Sequence, residues 1–314
     1  MQSAVEGKTA VLFPGQGSQE VGMGRDVAEH WDEAMQLWKK AEQITGTELR
    51  EIYWDGDENA MAQTRYLQPA LTVVNLTLWG LIRPKVQPSF FAGHSLGEFS
   101  ALASAKVLDP FKVLELVALR TRLMSEAGRE QDGKMAAILK LDLDTVEIIV
   151  NKAQEQSGKE LYIANYNSPQ QTVISGRIAA VDAACELAKD FKGRAIPLPV
   201  SGAFHTPFMQ EAAQELARFM DGLHWSDARV PIHLNVNAQA EHSAAEIKEV
   251  MKKQMTSSVR WIQTISDQWD NGVRNWLEVG PKQVLAKLLK PNLNDHEESW
   301  ESQNINSLEK ARSL

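Results

Sequence analysis

The sequence predicts an α/β protein with a parallel sheet and one small inserted subdomain. Up to about residue 125, short apolar strand patterns alternate with longer helical patterns. The strand patterns are apolar at nearly every position, which is typical of parallel strands covered on both faces. Between about residues 131 and 198 the order of elements changes, because two strand patterns follow each other directly. This change predicts the inserted subdomain.

The first part of the chain is predicted to hold two strands and four helices. The strands are Thr9–Phe13 and Pro88–Ala92, and the helices are Arg25–Gln43, Gln68–Leu81, Leu96–Ala103 and Pro110–Ala127. Pro69 suits the first turn of its helix, where the missing N–H of proline is not needed.

The middle of the chain is predicted to form a ferredoxin-like unit, since its elements follow the order βαββαβ. The strands are Met135–Leu141, Leu161–Asn165, Gln171–Ser175 and Arg194–Val200, and the helices are Asp144–Gln156 and Ile178–Phe191. We therefore expect a core made of residues 1–130 and 199–314, and a subdomain made of residues 131–198. In the second part of the core, Asn275–Val279 is a strand and the polar tail Asn292–Asn304 is expected to run over the surface.

Composition excludes several classes of function. The net charge of −8, with no offsetting basic stripe, argues against nucleic-acid binding. No apolar run approaches the ~18 residues that span a bilayer, and no signal pattern opens the chain. The single cysteine, Cys185, excludes an internal disulfide and suits a cytoplasmic protein. No His or Cys pair has the spacing of metal ligands, and we expect a monomer without membrane partners.

The run Gly93-His94-Ser95-Leu96-Gly97 is the strongest chemical signal. It places a serine between two glycines, after a strand pattern and before a helix pattern, which is the context of a nucleophile elbow. A serine hydroxyl needs an adjacent base to act as a nucleophile. His205 is the candidate base, because it lies in a compact loop where a strand pattern ends. A structural histidine in the crevice between the two units is the other interpretation.

A second glycine-rich turn, Gly15-Gln16-Gly17, follows the first strand. It lacks the third glycine of a dinucleotide fingerprint. An oxyanion hole needs two N–H donors, one from the residue after the serine and one from a neighbouring loop. Leu96 and Gln16 are the candidates for these backbone donors. A simple strand-to-helix turn would explain the glycines equally well.

Four motifs occur in one order along the chain. They are Phe-Pro-Gly-Gln-Gly-Ser-Gln at 13–19, Gly-His-Ser-Leu-Gly-Glu at 93–98, Gly-Ala-Phe-His at 202–205 and Val-Gly-Pro at 279–281. In these motifs the chain resembles the malonyl-CoA:acyl carrier protein transacylases, acyltransferases of fatty acid and polyketide synthesis. The resemblance implies an α/β-hydrolase-like core with a ferredoxin-like subdomain. It also implies that Ser95 is acylated and that His205 is its base.

The resemblance assigns further residues. Arg120 matches the family's carboxylate-binding arginine, although spacing alone leaves Arg120 and Arg122 open. Gln254 matches the glutamine whose backbone carbonyl orients the histidine. The substrate-binding set implied by the resemblance is Arg120, Phe204, Met124, Asn165, Asn167 and His94. Phe204 would crowd an α-methyl branch and so favour malonyl groups. Asn165 and Asn167 are explained equally well as turn formers, and His94 as a packing residue.

The implied reaction moves a malonyl group from malonyl-CoA to the phosphopantetheine thiol of an acyl carrier protein, in two steps through a malonyl-serine ester. It needs no cofactor beyond the CoA thioester. An esterase on the same core and a non-catalytic scaffold for carrier proteins are the alternatives. The basic residues Lys192, Arg194, Lys287 and Lys290 are either a docking surface for an acidic carrier protein or ordinary surface residues. Two departures from the family are Lys282, where glycine is common, and Thr206, where serine or cysteine is common.

Overall fold

A computed structural model describes residues 5–56, 61, 64–130, 132–200 and 202–314. The strands of these residues are numbered in chain order. They are β1 Lys8–Phe13, β2 Phe90–Gly93, β3 Gly133–Leu139, β4 Leu161–Ser168, β5 Gln171–Arg177, β6 Arg194–Pro197, β7 Ile232–His233, β8 Ala240–Glu241, β9 Val273–Val279 and β10 Glu301–Ile305.

The α-helices of the described residues are numbered in the same way. They are α1 Arg25–His30, α2 Asp32–Thr45, α3 Thr64–Ile82, α4 Gly97–Ser104, α5 Pro110–Glu130, α6 Leu143–Ser157, α7 Ile178–Asp190, α8 Gln210–Asp221, α9 Ala244–Met251, α10 Trp261–Asp270, α11 Leu285–Asn292 and α12 Leu308–Ser313. A π-helical turn lies at Glu51–Asp55, and 3-10 turns lie at Pro207–Met209 and Gln254–Thr256. None of these helices combines the length and the apolar character that a membrane crossing requires.

The larger sheet confirms the predicted parallel arrangement. Its order is β10-β9-β1-β2-β7-β8, and every neighbouring pair is parallel except β7 with β8. Along β1, Val11 and Phe13 pack into one apolar core while Ala10 and Leu12 pack into another. Successive side chains of a strand point to opposite faces, so helices cover both faces of this sheet. That is why the strand pattern is apolar without alternation.

The smaller sheet confirms the predicted ferredoxin-like unit. It has the order β4-β5-β3-β6 with every neighbouring pair antiparallel, and α6 and α7 pack on it around a core of their own. Asp142 is the helix cap, because its carboxylate accepts a hydrogen bond from the Thr145 N–H at 2.8 Å. Residue 131, where the subdomain is predicted to begin, lies outside the described residues.

Three predictions are wrong in whole or in part. Pro69 lies inside α3, which includes Thr64–Ile82, rather than in its first turn. The single helix expected over Arg25–Gln43 is two helices, because Trp31 between them has an extended backbone with φ −141° and ψ 113°. The tail expected to run over the surface does so at residues 294–299, which are exposed, but it then returns to the larger sheet, where β10 pairs in parallel with β9. Its residues Ser302 and Gln303 are exposed, so this edge strand lacks the apolar pattern that identifies a buried one.

Candidate active site

Ser95 lies at the tip of a tight turn between β2 and α4. Its backbone has φ 49°, a conformation that is strained for any residue with a Cβ atom. The turn leaves no room beside it: a Cβ on Gly93 would overlap the backbone of Gly97, and a Cβ on Gly97 would overlap the Phe13 carbonyl. Both glycines are therefore required by close packing. The structure thus contains the nucleophile elbow that the motif predicts.

Asn235 holds this turn from the segment after β7. Its side-chain Oδ1 accepts a hydrogen bond from the Ser95 N–H at 2.7 Å, and its Nδ2 donates to the Gly93 carbonyl at 2.7 Å. Both groups would otherwise be buried without a partner, which is costly. The buried amide of Asn235 thus stabilises the conformation that presents the serine.

His205 and Ser95 are hydrogen-bonded side chains. His205 Nε2 lies 2.8 Å from Ser95 Oγ. On the other side of the ring, Nδ1 lies 3.0 Å from the Ser257 carbonyl and 3.2 Å from the Gln254 carbonyl. Carbonyl oxygens only accept, so Nδ1 carries the proton and Nε2 faces the serine as an acceptor. Burial, and next the charge of Arg120, lower the pKa of His205 to about 3.

The carbonyl of Gln254 lies beside His205, as the resemblance implies. The proton on His205 Nδ1 also faces a second carbonyl. Sequence reasoning missed Ser257, whose carbonyl is the nearer one. The 3-10 turn at Gln254–Thr256 brings both carbonyls to one side, since its single turn separates residues 254 and 257. No side-chain signal could have identified this contact, because the backbone makes it.

Arg120 is buried on α5 beside the nucleophile. Its Nη1 donates to Gln68 Oε1 at 2.6 Å, its Nε to Gln254 Oε1 at 3.2 Å, and its Nη2 to Ser95 Oγ at 3.2 Å. Arg122 is exposed and forms ion pairs with surface glutamates. The structure therefore places Arg120 in the site and Arg122 outside it, the choice that spacing left open. Burial lowers the pKa of Arg120 to about 10, so the guanidinium stays charged at neutral pH.

A cleft of about 230 Å³ opens in front of the serine and histidine. Strands of the smaller sheet line one side of it, and loops and helices of the core line the other, so it lies where the core meets the ferredoxin-like unit. Its walls are mostly apolar, with a few polar groups, as is common for small-molecule sites. The predicted site residues that line it are Gln16, His94, Ser95, Leu96, Met124, Asn165, Asn167, Phe204 and His205. Arg120 and Gln254 reach the site from behind, through Ser95 and His205.

His94 and Asn167 form a polar contact at the cleft wall. His94 Nε2 donates to Asn167 Oδ1 at 2.8 Å, and the Asn167 carbonyl accepts from Asn292 Nδ2 at 2.9 Å. Burial lowers the pKa of His94, so the ring is neutral. Asn167 thus links α11 to the elbow, a role beyond forming a turn. Asn165 forms an isolated parallel bridge with Val259.

The two departures from the family have local explanations. Lys282 has φ 58°, a left-handed conformation that glycine adopts without strain. Its exposed side chain stands just before the segment Val284–Leu285, which lines the cleft. Thr206 Oγ1 donates to the Ala203 carbonyl at 2.6 Å and accepts from the Phe208 N–H at 3.3 Å. Its hydroxyl therefore holds the loop that carries the histidine.

A serine that is hydrogen-bonded to a histidine and to a buried arginine, beside a cleft on an α/β fold, is the arrangement of a serine-dependent acyl-transfer site. Comparison with known proteins agrees with this class. The family model described as "Acyl transferase domain" matches residues 11–311. The chain belongs to this family.

Individual relatives show which members of the family this chain is similar to. The chain is 41% identical over 291 residues to the malonyl CoA-acyl carrier protein transacylase of Synechocystis sp., covering 91% of this chain and 95% of that protein. An acyl carrier protein S-malonyltransferase from Vibrio cholerae superposes with a TM-score of 0.89 at 35% identity, covering 98% of this chain and 99% of the other. A malonyl-transacylase solved with its type II PKS acyl-carrier protein gives 0.90 at 34% identity, covering 98% of each chain. The resemblance predicted from the four motifs is confirmed.

Proposed function

We propose that this protein transfers a malonyl group from malonyl-CoA to the phosphopantetheine thiol of an acyl carrier protein. One observation carries the proposal: a buried, charged arginine lies 3.2 Å from the hydroxyl of a serine that is hydrogen-bonded to histidine. An ordinary esterase needs the serine and histidine but has no use for a buried cation. A dicarboxylic acyl group supplies the carboxylate that such a cation binds. The similarity to malonyl transacylases supports the same substrate.

The first half-reaction acylates the serine. The free carboxylate of malonyl-CoA binds Arg120, and His205 Nε2 takes the proton from Ser95 Oγ as the oxygen attacks the thioester carbonyl. The backbone N–H groups of Gln16 and Leu96 hold the oxyanion. The C–S bond then breaks, His205 returns its proton to the sulfur, and CoA leaves as the thiol.

Substrate binding also strengthens the base. The charge of Arg120 is the second cause, after burial, of the low pKa of His205 in the empty site. A substrate carboxylate that pairs with Arg120 offsets this charge and raises the pKa of the histidine. A malonyl group therefore activates the base that its own transfer requires, whereas an acetyl group brings no carboxylate to Arg120.

The second half-reaction reverses the first with a new thiol. The phosphopantetheine sulfur gives its proton to His205 and attacks the malonyl ester, and Ser95 leaves with that proton. The apolar cleft walls limit the access of water to the ester. The CoA thioester is itself the activated acyl donor, so the reaction uses no further cofactor. We place the cleft between a core of residues 1–130 and 199–314 and a subdomain of residues 131–198, in a monomer that works in the cytoplasm.

The carrier protein would approach the mouth of this cleft. Lys287 and Lys290 are exposed on α11, the helix whose Leu285 and Leu288 line the cleft. Carrier proteins are acidic, so such lysines favour docking through complementary charge. Lys192 and Arg194 are also exposed, but they lie at β6, the edge of the smaller sheet opposite to β4, which α11 contacts.

Intact-protein mass after brief incubation with malonyl-CoA tests the proposal, with acetyl-CoA and methylmalonyl-CoA in parallel and Ser95→Ala as the control. We expect a malonyl adduct on Ser95 that acyl carrier protein discharges, and little labelling by the other thioesters. Steady release of malonate without transfer to the carrier protein would indicate an esterase. Neither adduct nor turnover would indicate a non-catalytic scaffold.

A further inference from the structure

The active site contains a buried carboxylate that the mechanism above does not use. Glu98 lies on α4, one turn after the nucleophile, and its side chain is fully buried. One oxygen, Oε1, accepts from the Asn235 N–H at 2.7 Å, and the other, Oε2, accepts from Gln254 Nε2 at 2.8 Å. A buried carboxylate is costly, which raises the question of what it contributes.

Its two partners are the residues that hold the catalytic groups. Asn235 fixes the elbow at Ser95. Gln254 donates from Nε2 to the Ser95 carbonyl at 2.8 Å, accepts from Arg120 Nε through Oε1, and accepts from His205 through its main-chain carbonyl. Glu98 is therefore hydrogen-bonded to two residues that together contact the serine, the histidine and the arginine.

We propose that Glu98 is a positioning residue whose ionised carboxylate sets the orientation of the Gln254 amide, and thereby that of Arg120. The malonyl part of this inference rests on the proposed function. An ionised carboxylate only accepts hydrogen bonds, so it fixes the NH2 group of Gln254 on its own side. The amide oxygen is then left to face the guanidinium.

The reverse orientation of the amide is unfavourable at two points. With its amide flipped, Gln254 would turn its NH2 group toward the Arg120 Nε–H and its oxygen toward the Ser95 carbonyl. Donor would face donor and acceptor would face acceptor, inside a buried site where unpaired polar groups are costly. The Glu98 carboxylate adds a third contact that only the native orientation satisfies. A glutamine at position 98, or a protonated Glu98, can turn a donor toward the NH2 group of Gln254, which removes this contribution and weakens the preference for the native orientation.

The electrostatics of Glu98 also support a role for its ionised form. Burial raises the pKa of Glu98 to about 7, while the bonds from Asn235 and Gln254 and the charge of Arg120 act against the rise. The other titratable side chains of this centre are His205 and His94, whose pKa values are lowered by burial, so both are neutral near pH 7. In the free enzyme, Glu98 is therefore the group that gains a proton as the pH falls through neutrality.

The test is the second-order rate of Ser95 malonylation at low malonyl-CoA, which reports on the free enzyme. This rate is measured by quenched intact-protein mass spectrometry between pH 5.5 and 8.5, for the wild type, Glu98→Gln and Glu98→Asp. We expect the wild-type rate to fall on the acid side of about pH 7. Glu98→Gln should be roughly 10- to 100-fold slower at pH 8 and should lack this pH dependence. Glu98→Asp keeps an ionisable carboxylate that accepts hydrogen bonds. It should therefore retain the pH dependence, with a lower rate than the wild type.

Thermal unfolding of each variant separates a folding defect from a positioning effect. A wild-type rate that is constant across the whole pH range would overturn the inference whatever the variants do. An unchanged rate and pH profile in folded Glu98→Gln would also overturn it. Failure of the wild type to form any malonyl adduct would instead contradict the proposed function, so the two failures are distinguishable.

Discussion

Arg120 donates a hydrogen bond from Nη2 to Ser95 Oγ across 3.2 Å. The hydroxyl also lies 2.8 Å from His205, so base and arginine meet at one oxygen. A carboxylate that binds the guanidinium competes with this contact and leaves the hydroxyl to the histidine. Recognition of the acyl group and activation of the nucleophile are thereby joined through a single side chain.

Replacing Arg120 by alanine should lower kcat/KM for malonyl-CoA by roughly 30- to 5,000-fold, because loss of one partner from a buried charge pair costs roughly 2–5 kcal/mol. Labelling by acetyl-CoA should change far less, since acetyl has no carboxylate to bind. Steady-state transfer to carrier protein measures both rates. Arg122→Ala removes an exposed arginine two residues away and is the matched control. An unchanged malonyl rate in Arg120→Ala would contradict the assignment.

Phe204 is expected to exclude acyl groups that are branched at the α-carbon. Its ring lines the cleft and is only 5% exposed. Phe204→Ala should raise the ratio of methylmalonyl to malonyl kcat/KM by roughly 10- to 200-fold, the usual range for one methyl group in a pocket. Phe208→Ala is the control, because that ring packs on Tyr162 and Arg177. Equal ratios in the two variants would show that another side chain makes the selection.

Sequence patterns predicted the elements whose signals are local. β1 and β2 are apolar runs buried on both faces, and the segments next to them repeat apolar residues with the period of a helix. The strands and helices could therefore be assigned directly. β10 was missed because an edge strand with exposed polar residues has no such period. The break at Trp31 was missed because no proline or glycine marks it; its ring packs against the core beside Gly80, a contact that sequence spacing does not show.

Some residues of the site could also be predicted from the sequence, and others could not. Ser95 and His205 carry motifs that can be recognised in the sequence, and Arg120 could be chosen over its neighbour only by resemblance. Asn235 and Glu98 were not predicted, because each is a single polar residue whose importance lies in a contact across 137 residues of chain. Glu98, the charged residue of α4, was the one available signal, since such residues are rarely buried without a partner.

The protonation of His205 should make the protein less stable in acid. The pKa of its folded form is lowered to about 3, against about 6.5 in an unfolded chain. Between these values the unfolded state binds a proton that the folded state does not, so the free energy of unfolding falls as the pH falls from 6.5. The slope from this group is at most about 1.4 kcal/mol per pH unit.

Chemical denaturation of the wild type and His205→Gln between pH 4.5 and 7.5 measures this contribution. The wild type should lose stability more steeply than the variant on the acid side. His94 and His233, whose pKa values are also lowered by burial, are present in both proteins, so they do not contribute to the difference. Parallel curves for the two proteins would mean that the folded His205 titrates near its ordinary pKa.

The amide of Asn235 should be needed for both stability and nucleophile geometry. Asn235→Ala leaves the Ser95 N–H and the Gly93 carbonyl without their partner, at a cost of about 1–3 kcal/mol for each buried group. The freed turn can relax from the strained φ of 49° at Ser95, which moves the hydroxyl away from the histidine. We therefore expect a lower melting temperature together with slower Ser95 malonylation. Asn237→Ala, which removes only an exposed contact to the Gln239 N–H, is the control. Wild-type malonylation by folded Asn235→Ala would show that the elbow keeps its shape without this clamp.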